Sequence, residues 1–263
     1  MKKNDTLTDG CELRIVSCLN DNYAYVIHDP KTLATAVIDA PEAAPIKEAI
    51  QQEGWKLTDI LITHHHHDHV GGVSELKAWS GCRVTAPFDQ LVPIHDVDVR
   101  IKEGSPLTVG GLTVQVLETP GHTLEHVTYV LEDFKAIFSG DTLFSCGCGR
   151  VFEGTYEMMW DSLKKLRKLP DDHRLFFGHE YTATNVAFSL QATPGNEVLE
   201  AYSRKVEQLR SESKPTVGVL LGSEKETNPF LRADQPDTAA DLNLSIADPV
   251  AIFGKLRDLR NDF

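Results

Sequence analysis

Over the first two thirds of the chain the apolar residues fall in short runs, each broken by Gly, Pro, Asn or Asp. The runs are rich in Val, Ile, Leu and Thr and predict strands at Leu13–Leu19, Tyr23–His28, Ala34–Asp39, Asp59–Thr63, Arg83–Ala86, Leu112–Glu118, Val127–Leu131 and Ala136–Ser139. Helical spacing of apolar positions predicts helices at Ala43–Glu53, around Val73–Trp79, and at Tyr156–Lys168. After about Tyr181 the pattern changes. Thr182–Leu190, Glu197–Ser211 and Pro249–Arg260 read as helices, strand patterns become scarce, and Pro194-Gly195-Asn196 forms a break and N-cap. The segment Gly222–Asp237, with two prolines, reads as an ordered loop. The expectation is an α+β chain whose sheets are covered by helices, with residues 1–180 as one domain and residues 181–263 as a smaller helical one.

Composition narrows the class. The chain has 263 residues, 41% hydrophobic and 25% charged, enough to bury a core without disulfide staples. No apolar run is long enough to span a bilayer. Met1-Lys2-Lys3-Asn4-Asp5 does not lead into an apolar signal segment. Five cysteines, an odd number without framework spacing, point to reduced thiols and a cytoplasmic location. A formal net charge of −13 disfavours nucleic acid and anionic membranes as partners, and an anionic substrate would need a local basic cluster.

The chemistry concentrates in Thr63-His64-His65-His66-His67-Asp68-His69. Imidazole nitrogens and carboxylates are ligands for zinc, iron or manganese. A purification tag would sit at a terminus, whereas this run follows the largely apolar segment Leu57–Thr63. His64 and His66, two apart in an extended loop, can point to one side. Asp68 and His69 fall at a helix start, where a carboxylate is well placed. His65 and His67 lie between the ligand positions and read as outward-facing or supporting groups. Further on, His122, Asp141 and His179 each follow an apolar strand and a Gly-containing turn, where a rigid scaffold presents functional groups. Cys146-Gly147-Cys148 and His126 are tempting additions. Both read better as structural, because the other groups complete two coordination spheres.

The order Thr63-His64-x-His66-x-Asp68-His69, then His122, Asp141 and His179, resembles the metallo-β-lactamase superfamily. The resemblance implies a four-layer αββα sandwich with a small C-terminal helical domain. It also implies two divalent metal ions: one on His64, His66 and His122, the other on Asp68, His69 and His179, with Asp141 bridging. Zinc is expected first, with iron and manganese tolerated. Two ions bring a charge of about +4; Asp68, Asp141 and one hydroxide remove three. A net positive centre of about +1 can hold hydroxide near neutral pH and stabilise an oxyanion. Asp68 and Asp141 are accordingly the expected catalytic groups, Asp68 orienting the hydroxide.

The rest of the chain is similar to one branch, the glyoxalase II or hydroxyacylglutathione hydrolase family. The similar segments are Leu19–Tyr25, Gly140–Phe144, Gly147–Arg150, Phe152–Thr155, Gly178–Thr182, Asn228–Arg232 and Leu256–Phe263. This resemblance implies hydrolysis of S-(2-hydroxyacyl)glutathione thioesters, such as S-D-lactoylglutathione, by a metal-bridging hydroxide. It assigns Arg150, Tyr181, Arg257 and Arg260 to binding of glutathione, whose two carboxylates suit the guanidinium fork. Phe152 stands where the family can have Tyr and is given no polar role. A monomer acting on a small-molecule thioester is expected, with no nucleic-acid or membrane partner. A persulfide dioxygenase is the alternative enzyme. A class B lactamase is disfavoured by the polar N-terminus, and a non-catalytic metal-binding module by the basic substrate-type residues.

Overall fold

The largest sheet has seven strands: β1 (Asp5–Thr6), β2 (Glu12–Cys18), β3 (Asn22–Asp29), β4 (Ala34–Ile38), β5 (Asp59–Leu61), β6 (Arg83–Pro87) and β7 (Val99–Ile101). They lie side by side in chain order. The first four pair antiparallel, and β4 to β7 pair parallel. Parallel neighbours need a crossover. Helix α1 (Ala43–Gln52) supplies it between β4 and β5, and the short α2 (His67–Val70) with α3 (Val73–Ser80) supplies it between β5 and β6. Helix α1 buries Ala43, Ile46 and Ile50, three positions on one helical face. They pack with Val26, Val37, Ile60, Leu76 and Val84. Strands β3 and β4 are buried at every residue, as expected where both faces of a sheet are covered.

This is the computed structural model of the chain, and it describes residues 5–6, 10–88 and 91–263. Two compact units emerge from the contacts: Met1–Glu118 with Leu124–Gly140, and Thr119–Thr123 with Asp141–Phe263. Besides the seven-stranded sheet, the first unit holds a small hairpin, β8 (Thr108–Val109) and β9 (Leu112–Thr113). It also holds the antiparallel meander β10 (Gln115–Glu118), β11 (Val127–Leu131) and β12 (Ala136–Gly140). The Tyr129 hydroxyl, fully buried, donates to the Ile62 carbonyl at 2.6 Å. The Tyr25 and Phe138 rings meet at 5.3 Å. These contacts join the meander to the large sheet.

The second unit starts with the hairpin β13 (Leu143–Phe144) and β14 (Gly147–Cys148), followed by α4 (Tyr156–Arg167). Strand β15 (Arg174–Phe177) precedes α5 (Thr182–Ala192) and α6 (Glu197–Ser211) and pairs antiparallel with β16 (Val219–Leu220). Helices α7 (Leu221–Thr227), α8 (Pro236–Asp241) and α9 (Pro249–Asp262) complete it. Three α-helices have side-chain caps, Asn196 among them as expected. Thr155, Asn196 and Asp248 accept from Met158, Leu199 and Ala251 amides at 3.2, 3.1 and 2.9 Å.

The predicted α+β class holds, with a helical C-terminal region and most elements within two residues of expectation. Three predicted elements differ, and β1, β7, β8, β13, β14 and β16 fall outside the predicted strands. The run Leu112–Glu118 is divided into β9 and β10, because Val114 turns its amide to the Leu107 carbonyl at 3.0 Å. The predicted strand Asp59–Thr63 ends at Leu61, since the Thr63 amide goes to a side chain, Asp39 Oδ1, at 2.8 Å. The predicted loop Gly222–Asp237 is instead mostly helical: α7, a 3-10 turn at Pro229–Leu231, and the start of α8. Its prolines do not break these helices. Pro229 and Pro236 sit in first turns, where no amide donor is needed. Among the described residues, no helix is long and apolar enough to cross a membrane.

Gly140 closes β12 at φ +47, and a Cβ there would lie 2.6 Å from Thr63 Oγ1 and 2.8 Å from His126 Nε2. Gly140→Ala should therefore destabilise the fold by roughly 2 kcal/mol or more, through left-handed strain and overpacking. Denaturant midpoints of the two proteins check this; equal midpoints would contradict it.

Candidate metal centre

The first unit carries four of the predicted ligands, all on the segment after β5. His64 is fully buried, and its Nε2 lies 3.1 Å from His66 Nδ1. His69, also fully buried, has Nε2 3.8 Å from Asp68 Oδ2. Tetrahedral coordination with bonds of about 2.0–2.1 Å places donor atoms roughly 3.3–3.4 Å apart. The first spacing suits two ligands of one ion, and the second is slightly open.

Asp39, at the end of β4, sets the orientation of these rings. Its carboxylate accepts the Thr63 amide (2.8 Å), the Thr63 hydroxyl (2.8 Å) and His69 Nδ1–H (2.8 Å). Because the Thr63 hydroxyl donates to Asp39, its oxygen is left to accept from His64 Nδ1 at 2.9 Å. Both rings then carry their proton on Nδ1 and turn an Nε2 lone pair toward the neighbouring ligand. Asn22 Nδ2 bonds Asp68 twice, at Oδ2 (3.1 Å) and at the carbonyl (3.0 Å). His65 is buried rather than outward-facing. Glu125 Oε1 accepts its Nδ1–H at 2.6 Å and its amide at 3.2 Å, pinning the loop between His64 and His66. His67 is exposed. His126, buried, stacks on His64 with ring centroids 4.9 Å apart.

The second unit carries the other three. Asp141 Oδ2 lies 3.5 Å from His122 Nε2 and 3.2 Å from His179 Nε2. A single carboxylate oxygen thus faces two imidazoles, each within the donor separation of a shared cation. His122 Nδ1–H donates to the Arg150 carbonyl at 2.8 Å, which again directs Nε2 to the ligand side. The Tyr181 ring stacks on His179 at 4.8 Å and 3°. All three ligand candidates are buried. The donor chemistry in each unit, neutral imidazoles with fixed tautomers beside carboxylates, fits divalent ions such as zinc. Burial raises the thiols of Cys148, to about 11, and of Cys146, well above its usual value.

The predicted substrate residues also lie in the second unit. Arg150 is exposed, Arg260 half-buried and Arg257 buried. Arg257 Nη1 donates to the Cys148 carbonyl at 2.7 Å, with its guanidinium 5.2 Å over the Phe230 ring. Arg260 donates to Asn185 Oδ1 from Nε (3.3 Å) and Nη2 (3.2 Å). Burial, then the charges of Arg257 and Arg150, pull the Arg260 guanidinium below its ordinary value. The three cations are therefore close enough to repel one another, and among the described residues no carboxylate pairs with any of them. Phe152 is exposed, its ring 5.3 Å from His122.

Three supporting residues were not singled out in the sequence: Asp39, Glu125 and Asn22. Asp39 had a signal, an acidic residue directly after an uncharged, fully buried strand. Glu125 and Asn22 had none, since their partners are 60 and 46 positions away.

Fold and site together define a class. The family model described as the metallo-beta-lactamase superfamily matches residues 22–179, and that described as hydroxyacylglutathione hydrolase C-terminus matches residues 180–263. A hydroxyacylglutathione hydrolase of Rhodopseudomonas palustris (strain BisA53) is 60% identical over 252 residues, covering 96% of this chain and 99% of that one. Its counterpart from strain BisB5 is 58% identical over 253 residues, covering 96% and 99%. Within the metallo-β-lactamase superfamily, the chain belongs to the hydroxyacylglutathione hydrolase family. Among solved structures, ETHE1 from Myxococcus xanthus shares the fold, with a TM-score of 0.66, 24% identity, and coverage of 93% of this chain and 90% of that one.

Asp39→Asn must turn an amide NH2 toward at least one of the three donors. Metal affinity should fall about 10- to 100-fold, read by competition with a chromophoric chelator, while the far-ultraviolet circular dichroism stays unchanged. Undiminished affinity would show that Asp39 does not orient the ligands.

Proposed function

We propose that this chain hydrolyses S-(2-hydroxyacyl)glutathione thioesters, such as S-D-lactoylglutathione, to glutathione and a 2-hydroxy acid. His64, His66 and His122 would hold one divalent ion, Asp68, His69 and His179 the second, and Asp141 would be shared. Zinc is the expected metal, with iron and manganese as alternatives that the same ligands accept. Residues 1–180 form the catalytic domain in this reading, and residues 181–263 the glutathione-binding domain. The reading includes a cytoplasmic monomer; that all five cysteines are free thiols suits a reducing compartment.

The observation that carries the substrate class is the group Arg150, Arg257 and Arg260. A His/Asp metal centre suits many hydrolyses, so glutathione selectivity must come from elsewhere. A cationic cluster with no carboxylate of its own, on a chain of net charge −13, is built for an anion.

Bound at these ligands, two divalent ions would supply hydroxide at neutral pH and polarise the thioester carbonyl. The chain's own groups do the rest. Asp39 and the Arg150 carbonyl keep His64, His69 and His122 in the ligating tautomer. Asn22 holds one Asp68 oxygen in place and leaves the carboxylate positioned to orient the attacking group. Arg150 and Arg260 bind the glutathione carboxylates, and Tyr181, flat against His179, bounds the thioester end. No Ser nucleophile elbow is present in the sequence.

The metal-loaded protein should hydrolyse S-D-lactoylglutathione, lose activity on chelation and regain it with zinc. Asp141→Ala should cut kcat more than about a hundredfold, consistent with loss of a metal ligand. Full activity of the verified metal-free protein, or oxygen uptake with glutathione persulfide in place of thioester hydrolysis, would overturn the reading.

Arg150→Ala tests the substrate role, because Arg257 also supports backbone. The loss of one charge-assisted contact should raise KM about tenfold with kcat within about twofold. A fall in kcat at unchanged KM would contradict that division.

A further inference from the structure

The segment Phe144–Cys148 is held at every carbonyl by a side chain from later in the chain. Asn228 Nδ2 reaches Phe144 and Gly147 (3.0 Å each), Asn185 Nδ2 reaches Ser145 (3.1 Å), the Ser189 hydroxyl reaches Cys146 (3.0 Å) and Arg257 reaches Cys148 (2.7 Å). Cys146 lies at φ +51, a left-handed conformation that a non-glycine residue keeps only when its surroundings impose it. Glu224 of α7 completes the grip. Its Oε1 accepts the Ser145 hydroxyl at 2.6 Å; its Oε2 accepts the Cys146 amide at 2.8 Å and Asn228 Nδ2 at 3.2 Å. Two residues beyond Cys148 is the Arg150 carbonyl that holds His122 Nδ1, and the intervening Gly149 amide is fixed on the Thr142 carbonyl at 3.2 Å.

Glu224 is 1% exposed, and burial, outweighing its three donors, raises its carboxyl from 4.5 to about 7. The folded chain thus binds this proton more tightly than the unfolded one. The group therefore lowers stability progressively as pH rises from 4.5 to about 7, after which the loss is constant. Glutamine has the same shape and could meet the same neighbours. Its oxygen would take Cys146 and Asn228, and its NH2 would donate to Ser145 Oγ, freeing that hydroxyl for Tyr202 Oη at 2.8 Å. Packing alone is served at least as well by the neutral residue. What the carboxylate adds is a charge-assisted hold on all three donors at once.

We propose that Glu224 is a positioning residue for the hydrolytic site: its carboxylate locks the Phe144–Cys148 turn and, through Gly149 and Arg150, the carbonyl that orients His122. The proposal rests on the functional reading above. The other titratable groups facing Glu224 are Cys146 on the turn and Tyr202 on α6. Burial first, then the charge of Glu224, raises both, so they stay neutral where Glu224 ionises.

Wild-type turnover of S-D-lactoylglutathione is measured first; its absence would defeat the functional reading itself, independently of Glu224. With turnover present, metal-loaded Glu224→Gln, Ser145→Ala and the double variant are compared at equal metal content. At pH 8.5, Glu224→Gln should melt several degrees higher than wild type yet turn over about five-fold more slowly, the worth of one ordinary hydrogen bond, with KM within about twofold. At pH 6, where the wild-type carboxyl is mostly protonated, the two kcat values should agree within about twofold. Ser145→Ala should also lower kcat, and the double variant should be no slower than the slower single one. A more stable Glu224→Gln with wild-type kcat at pH 8.5, or a kcat ratio that does not change with pH, would overturn the proposal. Should Glu224→Gln fail to fold, Ser145→Ala with unchanged kcat would overturn it equally.

Discussion

Asp39 accepts three hydrogen bonds at 2.8 Å, from the Thr63 amide, the Thr63 hydroxyl and His69, and through Thr63 it also decides which nitrogen of His64 carries the proton. One carboxylate at the end of β4 thus orients two rings that β5 delivers beside it. The register of the parallel pair brings this about. With Ile38 beside Leu61, the residues just past each strand end meet. The Asp39 amide returns to the Leu61 carbonyl, and Ala40 bonds His69 and Gly72 through its amide and carbonyl, so the His-rich segment is bound to the β4 end along its length. Asp39 itself is left-handed, φ +56. The surrounding bonds hold that conformation, as strained positions at functional sites require.

The second unit reaches the same result by other means. His122 is oriented by a backbone carbonyl rather than a carboxylate, and that carbonyl is only as fixed as the turn preceding it. Hence the density of side-chain bonds on Phe144–Cys148, and the buried Glu224 among them. Arg257 belongs to both roles at once: a cation in the arginine group and the donor that holds Cys148. The polar network therefore ties the helical C-terminal residues to the turn that leads to His122, which makes the arginine group and the carbonyl that orients His122 neighbours in one framework.

Much of this was legible beforehand. The strands Val127–Leu131 and Ala136–Ser139 and the helices at 43 and 197 follow local periodicity, which packing reinforces rather than overrides. The ligand candidates were legible because their residue types and spacing have few other uses. Of the two readings of His65, outward-facing or supporting, the structure shows the buried one, held by Glu125, a partner invisible to any local pattern. The segment 222–237 differs from expectation because Pro229 and Pro236 start helical turns there rather than breaking them.

By itself, the sequence determined most of the longer elements, the candidate ligands, the scarcity of positive charge and the few arginines able to meet an anion. These follow from local periodicity and from side-chain chemistry, both properties of near neighbours. Tertiary structure decided which nitrogen of His64, His69 and His122 carries the proton, that Asp39 holds two of these rings, and how a buried Glu224 comes to be held by Ser145, 79 positions away. Such choices depend on hydrogen-bond directions and burial, and neither exists until distant strands and turns are brought into contact.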